Sequence, residues 1–104
     1  MKTDVKMLLI FHDETDMFGE LPLYEAIVRR LHQLDISGAT VQRGIMGFGS
    51  HGRVHRKGLF GISDDRPVTI CVIDTADKLE PIVPEIRDMI AEGVVLLVDG
   101  QMVV

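Results

Sequence analysis

The residues with most capacity for chemistry lie together in Arg43-Gly44-Ile45-Met46-Gly47-Phe48-Gly49-Ser50-His51-Gly52-Arg53-Val54-His55-Arg56-Lys57-Gly58, where five glycines and six cationic or potentially cationic side chains occupy sixteen residues. Glycines let a backbone take positive φ and turn its N–H groups toward a bound group. Arginine, lysine and protonated histidine add charge-assisted donors at the same place. The pattern predicts a loop over residues 46–66 that takes a small anionic ligand. Gly47 and Gly49 would bring the backbone close, and Arg43, Arg53 and Arg56 would compensate charge. His51 or His55 would add a donor that strengthens below neutral pH. Phe48 and Ser50 lie within the same candidate site. Met46 and Phe48 are apolar tips in a polar segment, suited to a partner pocket or to packing at the loop base.

Other chemistry is less well supplied. Gly47-Phe48-Gly49 lacks both the strand-to-helix context of a dinucleotide fingerprint and the Gly-Lys-Ser/Thr ending of a P-loop. His51 and His55, four apart, give an alternative reading as metal ligands, with His12 a third. Gly49 and Gly52 argue against the helix that spacing needs, and a closed zinc site wants four ligands. Asp13, Glu14, Asp16 and Glu20 read as a solvated acidic connection, with His12 beside them in a turn. Asp74 reads as a helix cap and His32 as surface packing. Cys71, the lone cysteine, excludes an internal disulfide and reads as a small buried hydrophobe. No nucleophile–base set stands at recognisable spacing, so the residues point to binding and not to an enzyme.

The elements that must position the loop follow from periodicity. An apolar run over 5–11 reads as a strand covered on both faces or central in a sheet. A helix starts near Pro22, where a missing N–H does no harm, and carries Leu23, Ile27, Leu31 and Leu34 on one stripe. Gly38 is placed to close it. Strands are expected over 39–45, 67–73 and 94–98. A second helix, capped by Asp74 or Thr75, is expected to run to about Glu92, with an irregular start at Pro81 and Pro84. Asp99-Gly100 reads as a turn or bulge before a short strand over 101–104. The order is that of an α+β, ferredoxin-like βαββαβ plait in a single domain spanning 1–104. Helices would cover one face of the sheet only, so the apolar excess predicts an oligomer that buries the other.

Composition sets outer bounds. Hydrophobic residues make up 46% of the chain, aromatics 5%, and the formal charge is −5. That balance fits an aliphatic core and argues against nucleic-acid binding, which needs a basic surface. The chain lacks an apolar run of membrane-spanning length, and its first residues do not read as a signal peptide. A cytoplasmic location is expected.

Gly38-Ala39-Thr40-Val41 followed by Gly47-Phe48-Gly49 and Gly52 resembles the PII signal-transduction proteins. Nearly end to end, the chain resembles the PII-like family called domain of unknown function 190. That likeness runs through Pro22-Leu23-Tyr24-Glu25-Ala26-Ile27, Arg43-Gly44-Ile45-Met46-Gly47-Phe48-Gly49, Arg53-Val54-His55 and Val72-Ile73-Asp74-Thr75. The resemblance implies a ferredoxin-like subunit in a homotrimer. It also implies an adenine nucleotide in clefts between subunits and a T-loop, here 46–66, that engages a regulated protein. Association of relatives with fluoride-channel genes makes a membrane transporter or channel the implied partner. Gly49 matches the glycine that approaches the phosphates, His51 stands at a glutamine position and Ser50 at an arginine position. His55 and Arg56 lie about where the uridylylated tyrosine falls. Of the family's second phosphate-gripping turn only Asp99-Gly100 matches. Both lysines are missing, and Gln101 sits where one is expected.

Overall fold

The computed structural model describes residues 1–48, 54–56 and 66–104 of the chain. Its centre is a four-stranded antiparallel sheet in the order β4-β7-β1-β8, formed by β1 (Lys2–Asp13), β4 (Ala39–Arg43), β7 (Pro67–Asp74) and β8 (Val94–Val103). Two small ribbons accompany it. One pairs β2 (Met17–Phe18) with β3 (Leu21–Pro22), the other β5 (Met46–Phe48) with β6 (Val54–Arg56). The helical segments are α1 (Leu23–Gln33), α2 (Ala76–Leu79) and α3 (Val83–Asp88), with a 3-10 turn over Glu80–Ile82. This is the ferredoxin-type plait expected from the order of apolar segments.

Alternation on the central strands sorts the two faces. Leu8 and Ile10 of β1 and Val68, Ile70 and Val72 of β7 are buried under the helices. They meet Leu23, Ile27 and Leu31, the i, i+4, i+8 stripe of α1, together with Leu79, Ile86 and Ile90. Each such side chain contributes about 1.5–3 kcal/mol when fully buried. Among the described residues no helix covers the opposite face. Register aligns Phe11 with Val94, Leu9 with Leu96 and Cys71, and Met7 with Val98 and Ile73 on that face. Phe11 is 36% exposed and Leu96 46%. Cys71 is half-buried there, a corrected position for a thiol expected in the core, because odd-numbered residues of β7 point away from the helices.

Several boundaries differ from those expected. Helix α1 ends at Gln33, and the residue in the left-handed region is Asp35 (φ 60), not Gly38. The Asp35 N–H donates to His32 O at 3.1 Å and the Ile36 N–H to Leu31 O at 3.2 Å, which is a Schellman ending. An aspartate tolerates that conformation better than most side-chain-bearing residues. The second helix is broken into α2, the 3-10 turn and α3, and stops at Asp88. Pro81 and Pro84 are the second residues of the 3-10 turn and of α3, so each sits in a first turn, where its missing N–H does no harm. Asp99-Gly100 makes neither turn nor bulge. Asp99 pairs with Lys6 and Gly100 with Val5 inside an unbroken β8, and residues 101–103 extend that strand.

The connection after β1 is more ordered than a solvated turn. Gly19 takes φ 62 at the first central position of the β2–β3 hairpin, as a II′ turn requires. His12 is buried on the helix-covered face of β1 and lies stacked near Tyr24, with ring centroids 6.4 Å apart. Its Nδ1–H donates to Asp13 O at 2.8 Å, while Nε2 is buried without a hydrogen-bond partner among the described residues. The even position of His12 on β1 places it inward, whatever the polarity of its neighbours.

Candidate functional site

The root of the 46–66 loop is built where β4 ends and β7 begins. Gly44 follows β4, and its N–H donates to Pro67 O at 2.7 Å. A Cβ on Gly44 would lie 2.6 Å from Pro67 Cγ, and one on Gly47 would lie 3.1 Å from the same atom. Both glycines therefore have a packing reason: the proline ring occupies the space that their side chains would take. With Gly47 seated on Pro67, the flanking Met46 and Phe48 are turned outward. Met46 is 62% and Phe48 75% exposed, and Ile45 beside them 88%. The β5–β6 register sets Met46 opposite Arg56, Gly47 opposite His55 and Phe48 opposite Val54.

The expected site residues are thus distributed as follows. Arg43, Gly47 and Phe48 are at the loop root, and His55 and Arg56 lie in β6, directly across from β5. Gly49, Ser50, His51 and Arg53 lie outside the described residues. Arg43 is not a lone charge. Its Nε meets Glu14 Oε2 as an ion pair, with the carboxylate oxygen buried and the guanidinium half-exposed. Glu14 also donates its backbone N–H to Arg66 O at 2.8 Å. Sequence reasoning placed Glu14 in a solvated acidic stretch. No motif marks the residue, and only the folded geometry joins it to the loop.

Asp74 anchors the other end of β7. Its Oδ2 accepts from the Ser37 N–H and hydroxyl, both at 2.9 Å, and its Oδ1 accepts from the Thr75 N–H at 2.8 Å. Burial, the largest influence, pushes this carboxyl up. The three hydrogen bonds and the nearby Lys78 charge outweigh it and hold Asp74 below its ordinary value. Neither the Asp74 nor the Thr75 side chain fills the expected helix-capping role, since Asp74 Oδ1 holds the N–H of the N-cap residue itself. Asp74 ties the α1–β4 connection to the start of α2, while Thr75 occupies the N-cap position without a side-chain bond.

An open cleft of about 550 Å³ lies between the ends of the long β1–β8 pair and the start of α2, lined by Asp4, Val5, Lys6, Ala76, Asp99, Gly100 and Gln101. Lys6 Nζ pairs with Asp99 and lies 3.7 Å from Glu80. Hydrogen bonding to Asp99, the largest influence, pushes the Lys6 ammonium up. Its charge is paired with carboxylates, so among the described residues the lining of this cleft offers phosphates no free cation. Asp99-Gly100 lies in this cleft as strand, not as the phosphate-gripping turn of the PII resemblance. The segment that follows α3 is 89–93 instead. Among the described residues no three His, Cys, Asp or Glu side chains converge to hold a metal ion, and no helix is long and apolar enough to cross a membrane.

Known proteins share both the sequence pattern and the fold. The UPF0166 protein of Aquifex aeolicus is 30% identical over 98 residues, covering 94% of this chain and 92% of that protein. The UPF0166 protein MJ1524 of Methanocaldococcus jannaschii is 35% identical over 96 residues, covering 90% and 87%. Among solved structures, the chain is similar to CPII, a nitrogen regulatory PII-like protein from Thiomonas intermedia K12, bound to ADP, AMP and bicarbonate. That likeness has a TM-score of 0.74 at 21% identity and covers 98% of this chain and 91% of CPII. The plait with its loop between β4 and β7, the two UPF0166 relatives and a family match over residues 5–102 converge: the chain belongs to DUF190, the family described as an uncharacterized ACR.

Proposed function

We propose that this chain is a PII-like regulatory protein that binds a small anionic ligand, an adenine nucleotide, in clefts between the subunits of a homotrimer and engages a partner through residues 46–66. The observation that carries the reading is the loop root. Glycine-built packing on Pro67 holds the root of the β5–β6 ribbon, with Arg43 ending β4 just before it and Arg56 in β6 opposite Met46. Gly49, Ser50, His51 and Arg53 follow from the sequence as further ligand contacts. The likeness to CPII supports a nucleotide, since CPII is solved with ADP and AMP bound. The helix-free apolar sheet face supports assembly into an oligomer, and the low charge compensation in the β1–β8 cleft favours a site completed by a neighbouring subunit. The regulated partner would be a membrane transporter or channel. A second reading, a ligand-free interaction module, is favoured by the outward Met46 and Phe48.

Thermal shift and calorimetry with ADP, AMP and bicarbonate test this. A ligand at a hundredfold excess over its Kd stabilises the native state by about 2.7 kcal/mol. A stabilisation lost on replacing Arg43 or Arg53 supports the nucleotide reading. Silence toward all three ligands rejects it and promotes the docking module.

A further inference from the structure

Glu14 touches both roots of the loop. Its backbone N–H holds Arg66 O just before β7, and its carboxylate holds Arg43 at the end of β4. Between these ties, Gly44 closes on Pro67 O, and the Pro67 ring fills the space beside Gly44 and Gly47. We propose that Glu14 is the positioning residue of the loop. It clamps the exit of β4 to the entry of β7, fixes the β5–β6 ribbon against Pro67, and withholds Arg43 from an anion until the anion competes successfully for it. Only the last of these clauses rests on the anion-binding reading.

The physical basis is an asymmetry between the partners. The Arg43 side chain is half-exposed, so an arriving phosphate or carboxylate can reach its free edge. Glu14 is the less exposed partner, 25% against 54%, so losing the guanidinium costs its carboxylate more than the exchange costs Arg43, which gains the anion. Without an anion, the pair therefore stays closed. An anion that draws Arg43 away must supply that difference, and the loop root then loses its side-chain tie while the Glu14–Arg66 backbone bond remains. Two arrangements of one arginine, biased by ligand, are what a switch requires.

Amide hydrogen exchange on the full chain tests the clamp without any ligand. In Glu14→Gln, and separately in Arg43→Gln, the Gly44 and 46–48 amides should exchange about fivefold faster, while Leu8 and Ile70 keep wild-type rates. The charge-reversed pair Glu14→Arg with Arg43→Glu should recover most of the protection. Unchanged exchange at Gly44 and 46–48 in both single variants overturns the clamp, as does an acceleration that Leu8 and Ile70 share equally. Calorimetry with ADP tests the competition. Glu14→Gln should bind about fivefold tighter than wild type, a gain absent when Arg43→Gln is added. Equal ADP affinity in wild type and Glu14→Gln overturns it. If ADP binds neither, the nucleotide reading falls, and the exchange result alone decides the clamp.

Discussion

Gly93 has little freedom to change. It takes φ 153, and a Cβ built on it would lie 2.5 Å from Phe11 O and 3.0 Å from a methyl of Ile90. The first obstacle is backbone in a central strand, which cannot yield as a flexible side chain can. Gly93→Ala should therefore lose about 1–3 kcal/mol and several degrees of Tm. Gly38→Ala, where a Cβ meets open space, should stay within about 0.5 kcal/mol. Equal losses in the two variants would refute the assignment of the Gly93 constraint to that contact. Asp74 makes a prediction of another kind. Its carboxyl sits below its ordinary value of 3.8, so the folded state prefers the ionised form. That contribution is complete above the ordinary value and disappears as pH falls through the lower folded value. Asp74→Asn should lose about 1–3 kcal/mol at neutral pH, through hydrogen bonds from Ser37 and Thr75 weakened or left without an acceptor. The gap from wild type should narrow on acidification below pH 3.8; a gap that stays constant to pH 2.5 in urea titrations would exclude the linkage.

The elements show a corresponding division between what local chemistry dictates and what packing decides. The Schellman ending of α1 places Asp35 at φ 60, a conformation that glycine adopts without steric penalty. Asp35→Gly should raise stability by about 0.5–1 kcal/mol, read as a higher denaturant midpoint with unchanged slope. A lower midpoint would mean that the aspartate side chain contributes more than the strain removes. Periodicity made the interior stripe of α1 and the four main strands legible, because burial on one face repeats at a fixed interval. It could not choose Asp35 over Gly38, since both lie within reach of the helix end. Pro81 and Pro84 signalled irregularity, but not that each would stand in the first turn of its own segment. Asp99-Gly100 has the composition of a hairpin turn, yet the ladder with Lys6 and Val5 carries β8 straight through. At the candidate site, the glycines and arginines of 43–58 were conspicuous in the sequence. Pro67 against Gly44 and Gly47, and Glu14 against Arg43, were not, because both contacts join residues far apart along the chain.

The described residues pose a burial problem that the proposed assembly would solve. One face of the sheet is closed by the helices, and the other presents Phe11, Ile73, Leu96 and Val98 to solvent, each at least 36% exposed. Single exposed aliphatics are ordinary on protein surfaces, but a contiguous face of them marks an interface. Leu96 lies between Val94 and Val98 on the edge strand β8, in register with Leu9, which in turn pairs with Cys71. A carboxylate there would have to be desolvated without a partner whenever two copies closed over it. The substitution faces away from Leu8, Ile10 and the helices, so the fold of the single chain has no comparable reason to fail. Light scattering of the wild type should give three times the 11.6 kDa chain mass, the trimer proposed above, and Leu96→Glu should bring it to that of one chain with helical circular dichroism retained. An assembly of unchanged mass in Leu96→Glu would move the interface off this face. Dissociation to folded single chains, accompanied by loss of any ADP binding seen in the wild type, would instead show that the ligand cleft needs a neighbour to complete it.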